Sequence, residues 1–294
     1  MKSGFVGIIG RPNVGKSTLL NTILGEKIAI TTNKPQTTRN TIRGIYTSAD
    51  EDLQLVFIDT PGIHKGKTKL GKAITDMAIN TFKEVDVILF LVDGPIDKGP
   101  GDKYICNMIK DLDTKKVLLI NKFETMDPLE FKAIYNSYAD LQVFDHIMGI
   151  SALEAINIDK LIDKLGSFVE EGPMFFPPDM VTDHPERFIV SEIIREKVLD
   201  YLEQEVPHGV AVEIEQFKEE ENLTRIGAVI YCERKSHKGI IIGKQGRKLK
   251  GIGKSARLEI EGLLGTKVFL ELWVKVKENW RDSDIALTNF GYKE

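Results

Sequence analysis

The stretch GRPNVGKS at positions 10 to 17 constrains this chain more than any other. It sets two glycines, a lysine and a hydroxyl at the spacing GxxxxGK[ST], between the apolar run FVGIIG and the helical pattern STLLNTILG. A buried strand that turns into a helix through such a loop is a cradle for phosphate. Gly10 and Gly15 permit the backbone angles that turn N–H groups toward an anion. Lys16 meets β- and γ-phosphate charge and is a catalytic candidate, while Ser17, followed by Thr18, offers its hydroxyl to magnesium. Arg11, Pro12, Asn13 and Val14 complete the loop. A chance glycine turn would not need a strand and a helix on its two sides, so the chain is expected to bind a nucleoside triphosphate.

The pattern around this loop is α/β. FVGIIG, LQLVFID, VDVILFLVDG, KKVLLINK and HIMGISA read as short buried strands with helical patterns between them, which predicts a mostly parallel sheet. IRGIYTS precedes LQLVFID across the turn-like ADED and could form an antiparallel edge hairpin with it. Ligands of such sheets sit at the carboxyl ends of the strands. At 170 to 188 the segment EEGPMFFPPDMVTDHPERF packs four prolines among acids and breaks any helix. The expected division is therefore a nucleotide-binding domain over 1–169, a linker over 170–188, and a smaller α+β unit over 189–294 ending in a short polar tail. That unit reads as a helix around SEIIREKVLDYLEQE, strands near GVAVEIEQF and TRIGAVIYCER, a basic helical region, and a strand FLELWVKVK.

With 294 residues, 42% of them hydrophobic, the chain can bury two cores. Its formal net charge of -4 excludes a wholesale polycation, so any nucleic-acid surface must be a local patch. Cys106 and Cys232 lie far apart in sequence and suit neither a disulfide framework nor a metal cluster, which points to a reducing cytoplasm. The first strand begins within a few residues, and no apolar run reaches the ~18 residues of a membrane span. Secretion and integral insertion are not expected; peripheral membrane contact stays open.

Three further segments narrow the nucleotide. Asp59, Thr60, Pro61 and Gly62 form DTPG at a strand end, matching DxxG, in which the carboxylate holds magnesium through a water and the glycine N–H meets the γ-phosphate. Asn121, Lys122, Phe123 and Glu124 follow the strand KVLLI where guanine-binding GTPases carry NKxD. The usual aspartate accepts two N–H bonds from guanine and would be left unpaired by adenine. Glu124 keeps the charge but adds a methylene, so guanine preference is expected at reduced affinity. Ser151, Ala152 and Leu153 would close over the base, although Leu153 to Ala155 lack the glycine often found nearby.

These four elements in order resemble the translation-factor-related GTPases. That resemblance makes NKPQTTRNT, at 33 to 41, a first switch loop and gives Thr38 to magnesium and the γ-phosphate. Ile63 follows DTPG where many small GTPases orient water with a glutamine, and an aliphatic side chain cannot do so. Slow intrinsic hydrolysis is expected. Related GTPases with Asn at the position of Asn13 use it to help bind potassium; a turn-forming Pro12–Asn13 pair is the other reading.

In the second unit, Gly243, Lys244, Gln245 and Gly246 form GxxG between two helix-like stretches. From 234 to 257 nine residues are basic and none acidic. Glycines there let a nucleic-acid backbone approach closely, as in KH domains that hold single-stranded RNA. Lys238, Gly243, Lys244, Gln245, Gly246, Arg247, Lys248, Lys250 and Lys254 are the RNA-binding candidates. Leu272, Val274 and Val276 alternate with Trp273, Lys275 and Lys277, which leaves both core and contact roles open for Trp273.

Taken together, GRPNVGKST, PQTTR, DTPG, SEIIREK, GxxG and ELWVKVK resemble the Era family of bacterial GTPases over nearly the whole chain. The resemblance implies an α/β P-loop GTPase domain followed by an α+β type II KH domain. It implies a GTP/GDP switch with Mg2+ that binds the 3′ region of 16S rRNA and acts in small ribosomal subunit assembly. It also implies a monomer in the cytoplasm, with peripheral association at the inner face of the cell membrane. Glu124 supports one rival, an RNA-binding chaperone with a degenerate nucleotide site. A small-molecule kinase is the other rival, and the pairing of DTPG with NKFE speaks against it.

Overall fold

The computed structural model describes all residues except 33, 35, 36, 49, 51, 63–67, 83, 99, 203–205, 293 and 294. Two compact units form. One comprises Met1–Ala29, Thr38–Gly66 and Ile74–Asp183; the other Ile30–Thr37, Lys67–Ala73 and His184–Glu294.

The first unit runs β1 (Lys2–Gly10), α1 (Lys16–Leu24), β2 (Ile42–Ser48), β3 (Leu53–Asp59), α2 (Lys69–Thr81) from Ile74 onward, its start up to Ala73 belonging to the other unit, then β4 (Val87–Val92), α3 (Pro100–Ile109), β5 (Lys115–Ile120), α4 (Pro128–Ala139), β6 (His146–Gly149) and α5 (Ile158–Gly166). Its sheet has the order β2-β3-β1-β4-β5-β6. All neighbours are parallel except β2 and β3, the edge hairpin, which pair antiparallel from Ile42↔Asp59 to Ser48↔Leu53. β3 and β4 are buried at every position, the mark of strands covered on both faces. Ile158, Leu161, Ile162 and Leu165 are spaced to bury one stripe of α5. The core under α3 and α4 collects Phe90, Ile105, Cys106, Ile120 and Tyr138.

The proline-bearing segment lies along the β2–β3 edge over its first part. Buried Gln54 accepts from the N–H of Phe175 at 2.8 Å and donates to the carbonyl of Phe176 at 2.8 Å. The N–H of Ile45 donates to the carbonyl of Val181 at 2.8 Å. A strand edge that would otherwise present bare backbone groups is thereby covered.

The second unit runs α6 (Glu186–Tyr201), β7 (Ala211–Glu220), β8 (Leu223–Cys232), α7 (Lys235–Ile242), α8 (Arg247–Leu264), β9 (Lys267–Val276) and α9 (Asp284–Asn289). β7 pairs antiparallel with β8, and β8 parallel with β9. α6 packs on α8 and β7, and α8 on β9. Two expectations are corrected here. The helix starts at Glu186, earlier than SEIIREK implies, because Pro185 is its N-cap and proline is tolerated at a helix start but not inside one. The C-terminal tail is not simply polar: Trp280, Ala286, Leu287 and Tyr292 are buried, and the Trp280 indole N–H donates to the carbonyl of Gly209 at 3.0 Å. Segment Ile30–Thr37 belongs to this unit. Fully buried Arg195 of α6, paired with Glu192 at 2.8 Å, donates to the carbonyl of Thr37. Among the described residues no helix is long and apolar enough to cross a membrane.

Candidate functional site

The phosphate loop joins β1 to α1 at the carboxyl edge of the parallel strands. Gly10 has φ 154 and Gly15 φ 102. A Cβ on Gly15 would lie 2.2 Å from Asn121 Nδ2, and one on Gly10 2.6 Å from the Leu91 carbonyl, so both positions exclude side chains by space as well as by angle. Asn13 is exposed and also takes a positive φ, 64. Val14 is buried, and its carbonyl accepts from Asn121 Nδ2 at 2.7 Å. Pro12 abuts Gly62: a Cβ at Gly62 would come within 2.8 Å of it, which brings DTPG against the loop. Thr60 is buried and donates from its hydroxyl to the Ile8 carbonyl at 2.8 Å, fixing the segment before Pro61.

Ser17, Thr38 and Asp59 converge. The Ser17 hydroxyl donates to Asp59 Oδ2 at 2.6 Å and lies 2.9 Å from Thr38 Oγ1. Asp59 Oδ1 is buried without a hydrogen-bond partner. Two hydroxyls and a carboxylate with an unclaimed oxygen are the hard donors a magnesium ion takes. Thr18, beside Ser17, is half-buried in the first turn of α1. Burial pushes the Lys16 ammonium below its usual value against the pull of Asp59, and pushes the Asp59 carboxyl up to about 6 against the charge of Lys16 and the hydrogen bond from Ser17. Both shifts come from one dry setting, where phosphate and cation charges interact more strongly than in water. Lys16 Nζ donates to the Arg11 carbonyl at 3.1 Å, which holds it within the loop.

The base-reading segments meet the phosphate loop through Asn121. Its Oδ1 accepts from the N–H of Ala152 at 3.0 Å, and the Ala152 carbonyl accepts from Thr22 Oγ1 at 2.6 Å. Ser151 is buried, and its hydroxyl accepts from the Glu154 N–H at 3.0 Å. Phe123 stands edge-on to Phe131 at 5.2 Å over Gly149. Glu124 sits exposed in the short turn Phe123–Thr125, and the Leu153 side chain is 74% exposed. Where a glycine was expected after Ser151, Ala155 adopts φ 54 and Asn157 φ 61. The loop thus takes the left-handed geometry without glycine, and Asn157 Nδ2 donates to the Gly149 carbonyl at 2.9 Å to hold it. The Arg11 side chain, assigned from sequence to the nucleotide, turns to Asp93 and Asp102, each at 2.8 Å. Ile63, Pro35 and Gln36 lie outside the described residues.

In the second unit α7 ends at Gly243, φ 72, and α8 starts after Gly246, φ 74, with Gln245 at φ 54 between them. Lys238, Lys244, Gln245 and Arg247 are exposed; Lys248 is half-buried against Gly243. A groove of about 540 Å³ opens beside the loop, lined by Gly246, Leu249, Lys250, Gly253, Lys254, Arg257, Leu270 and Leu272. Its basic wall comes from α8 and its apolar floor from Leu249 and the inward face of β9. Sequence reading found Lys250 and Lys254 but missed Arg257, Leu270 and Leu272; the helical spacing of Arg257 from Lys250 and Lys254 was an available signal, the strand partners were not. Trp273 sits on the other face of β9, 44% exposed, with its ring against Gly227.

A phosphate loop at the carboxyl edge of a parallel sheet, met by DTPG and by an NKxD-like segment, defines a P-loop GTPase, here in one chain with a KH domain. The family described as 50S ribosome-binding GTPase matches residues 5–122, and the KH domain family matches residues 205–281. The chain is 57% identical over 293 residues to GTPase Era of Alkaliphilus oremlandii, covering 99% of each, and 55% identical over 296 residues to GTPase Era of Clostridioides difficile, covering 100% of this chain and 99% of that one. It is similar to Era in a crystal structure with MgGDPNP and nucleotides 1506–1542 of 16S ribosomal RNA, at TM-score 0.94 and 40% identity over the whole of both chains. A variant of Aquifex aeolicus Era bound to GDP and AlF4− matches equally, at TM-score 0.94 and 40% identity. The chain belongs to the Era family of GTPases.

Proposed function

We propose that this GTPase is a switch whose GTP-bound form grips the 3′ region of 16S rRNA through the groove beside GxxG, and that it acts in small ribosomal subunit assembly. The observation that carries the reading is the presence, in one chain, of a hard-donor cluster at a phosphate loop and a basic, apolar-floored groove at a GxxG turn. The Era relative bound to MgGDPNP and nucleotides 1506–1542 of 16S ribosomal RNA supports the choice of ligands. Ser17, Thr38 and, through water, Asp59 would hold Mg2+, which supplies charge neutralisation at the phosphates. Lys16 and the Gly62 N–H stabilise the transferring phosphoryl charge. Ile63 offers no hydrogen bond to an attacking water, which supports slow turnover. Asn13 would assist a potassium ion; equal turnover in potassium and sodium at matched ionic strength would remove that role.

Coupling between nucleotide and RNA has local support. Thr38, which meets Ser17, directly follows Thr37, whose carbonyl is held by Arg195 of α6, a helix that packs on α8. Ordering of Thr38 by nucleotide therefore acts on a segment tied to the RNA-binding unit. The functional division is taken as 1–169, 170–188 and 189–294, in a monomer that works in the cytoplasm and contacts the inner membrane face peripherally. The test is binding of labelled single-stranded RNA from the 16S 3′ end at fixed salt, with a nonhydrolysable GTP analogue and then with GDP. Tighter binding with the analogue, lost in Gly243→Asp, is expected; equal binding in both states would eliminate the switch. GTP turnover abolished by Lys16→Ala would dismiss a degenerate nucleotide site.

A further inference from the structure

Asp93 follows directly on β4, between the two loops that must grip opposite ends of a nucleotide. Its Oδ1 accepts from Arg11 Nη2 at 2.8 Å, and its Oδ2 accepts from Lys122 Nζ at 2.8 Å. One carboxylate, with its side chain 23% exposed, therefore joins the phosphate loop to the base-reading loop. Arg11 is held from its other side as well. Its Nε donates to both oxygens of Asp102 at 2.8 Å, and Asp102 is 1% exposed at the start of α3. Gly101 leaves room for this: a Cβ there would lie 2.9 Å from Arg11 Cδ. Burial alone would lower the Arg11 pKa, but the hydrogen bond and charge of Asp102, with those of Asp93, outweigh it and hold the guanidinium above its usual value.

The tether has something to restrain. Lys122 takes φ 65, a left-handed conformation that costs a non-glycine residue about 1 kcal/mol or more and persists only where the surroundings enforce it. Asn121 links the same loops through neutral hydrogen bonds to the Val14 carbonyl and from the Ala152 N–H. Asp93 adds a charge-assisted link on the lysine side, where such bonds are the stronger kind.

We propose that Asp93 is a positioning residue for GTP: it acts through Arg11 and Lys122 to set the spacing between the phosphate loop and the base-reading loop. It touches no reacting atom. The role has a sign opposite to simple electrostatics. Removing a negative charge beside a triphosphate should tighten binding if charge alone mattered. Removing a tether lets the two loops drift and weakens binding of every guanine nucleotide, with little effect on the chemical step.

The experiment uses the full chain as wild type, Asp93→Asn, Arg11→Gln and the double variant, with Asp93→Glu as the conservative control. Fluorescent GDP affinity, steady-state GTP turnover and thermal midpoint are measured for each. Asp93→Asn is expected to raise the GDP Kd and the GTP KM about tenfold, with kcat within about twofold and the thermal midpoint nearly unchanged. Asp93→Glu should recover part of the affinity, and the double variant should be no worse than the poorer single one, because both remove the same link. Affinity equal to or above wild type in Asp93→Asn would overturn the assignment. So would losses that multiply in the double variant, or losses that only track a fall in thermal midpoint.

Discussion

The loop from Gly10 to Gly15 and the loop from Gly243 to Gly246 both carry the chain through left-handed glycines into the N-terminus of a helix, α1 in one unit and α8 in the other. Their surroundings differ. At the first, the missing Cβ atoms would strike Asn121 and the Leu91 carbonyl, and the lysine of the motif is buried. At the second, a Cβ on Gly243 would meet Lys248 Cβ at 2.7 Å, but nothing lies within 4 Å of one on Gly246, and Lys244 is exposed. The same local device serves two kinds of recognition. A closed loop with its donors fixed in a dry setting can discriminate one compact ligand, because every misfit leaves a buried group unpaired. A loop open at Gly246 with exposed lysines attracts any phosphate backbone that can approach it, and leaves selectivity to the groove beside it.

The sharpest way to break this comparison is Gly15→Ala. A Cβ only 2.2 Å from Asn121 Nδ2, at φ 102, must displace the residue that links the phosphate loop to Ala152. Fluorescent GDP titration should show at least about 100-fold weaker binding, roughly 3 kcal/mol, while RNA binding of the nucleotide-free protein stays within about twofold. The dryness behind the closed loop is tested through Cys106, whose thiol burial, with the Asp102 charge, pushes up to about 12. At pH 10 the folded protein should expose only roughly 1% thiolate, so alkylation should be far slower than in the unfolded chain. From about pH 9 to about 12 the unfolded chain has released a proton that the folded one retains, so denaturant midpoints should fall as pH rises through that window. The smallest effect is expected at the open loop. Lys254→Gln removes one cation from the groove wall. It should lower the salt slope of RNA binding by about 0.7 and leave GDP affinity unchanged.

How much of this was legible beforehand follows distance along the chain. The phosphate loop, DTPG, the NKFE segment and GxxG each sit within a few residues, and strand and helix periodicity placed them at the correct element ends. The edge hairpin was readable because a short turn leaves its two strands few other partners. The partners of Arg11 were not readable: Asp93 and Asp102 lie 82 and 91 residues away, and nothing local tells an arginine in a phosphate loop to face inward to them. The groove floor was hidden for the same reason, since Leu270 and Leu272 reach Lys250 and Lys254 only when β9 lies beside α8. The absence of a glycine after Ser151 was legible, but what stands in for it was not. Its conformation was required, but Ala155 and Asn157 adopt it, with the Asn157–Gly149 hydrogen bond as support.

Sequence by itself determined which chemistry this protein carries, because glycines, a lysine, hydroxyls and carboxylates at fixed short spacing select their local backbone geometry and so their ligand class. Only the tertiary structure decided which side chains line the site and which hold those that do. Such contacts depend on how strands far apart in the chain are ordered in a sheet, and burial then assigns each ion pair its strength.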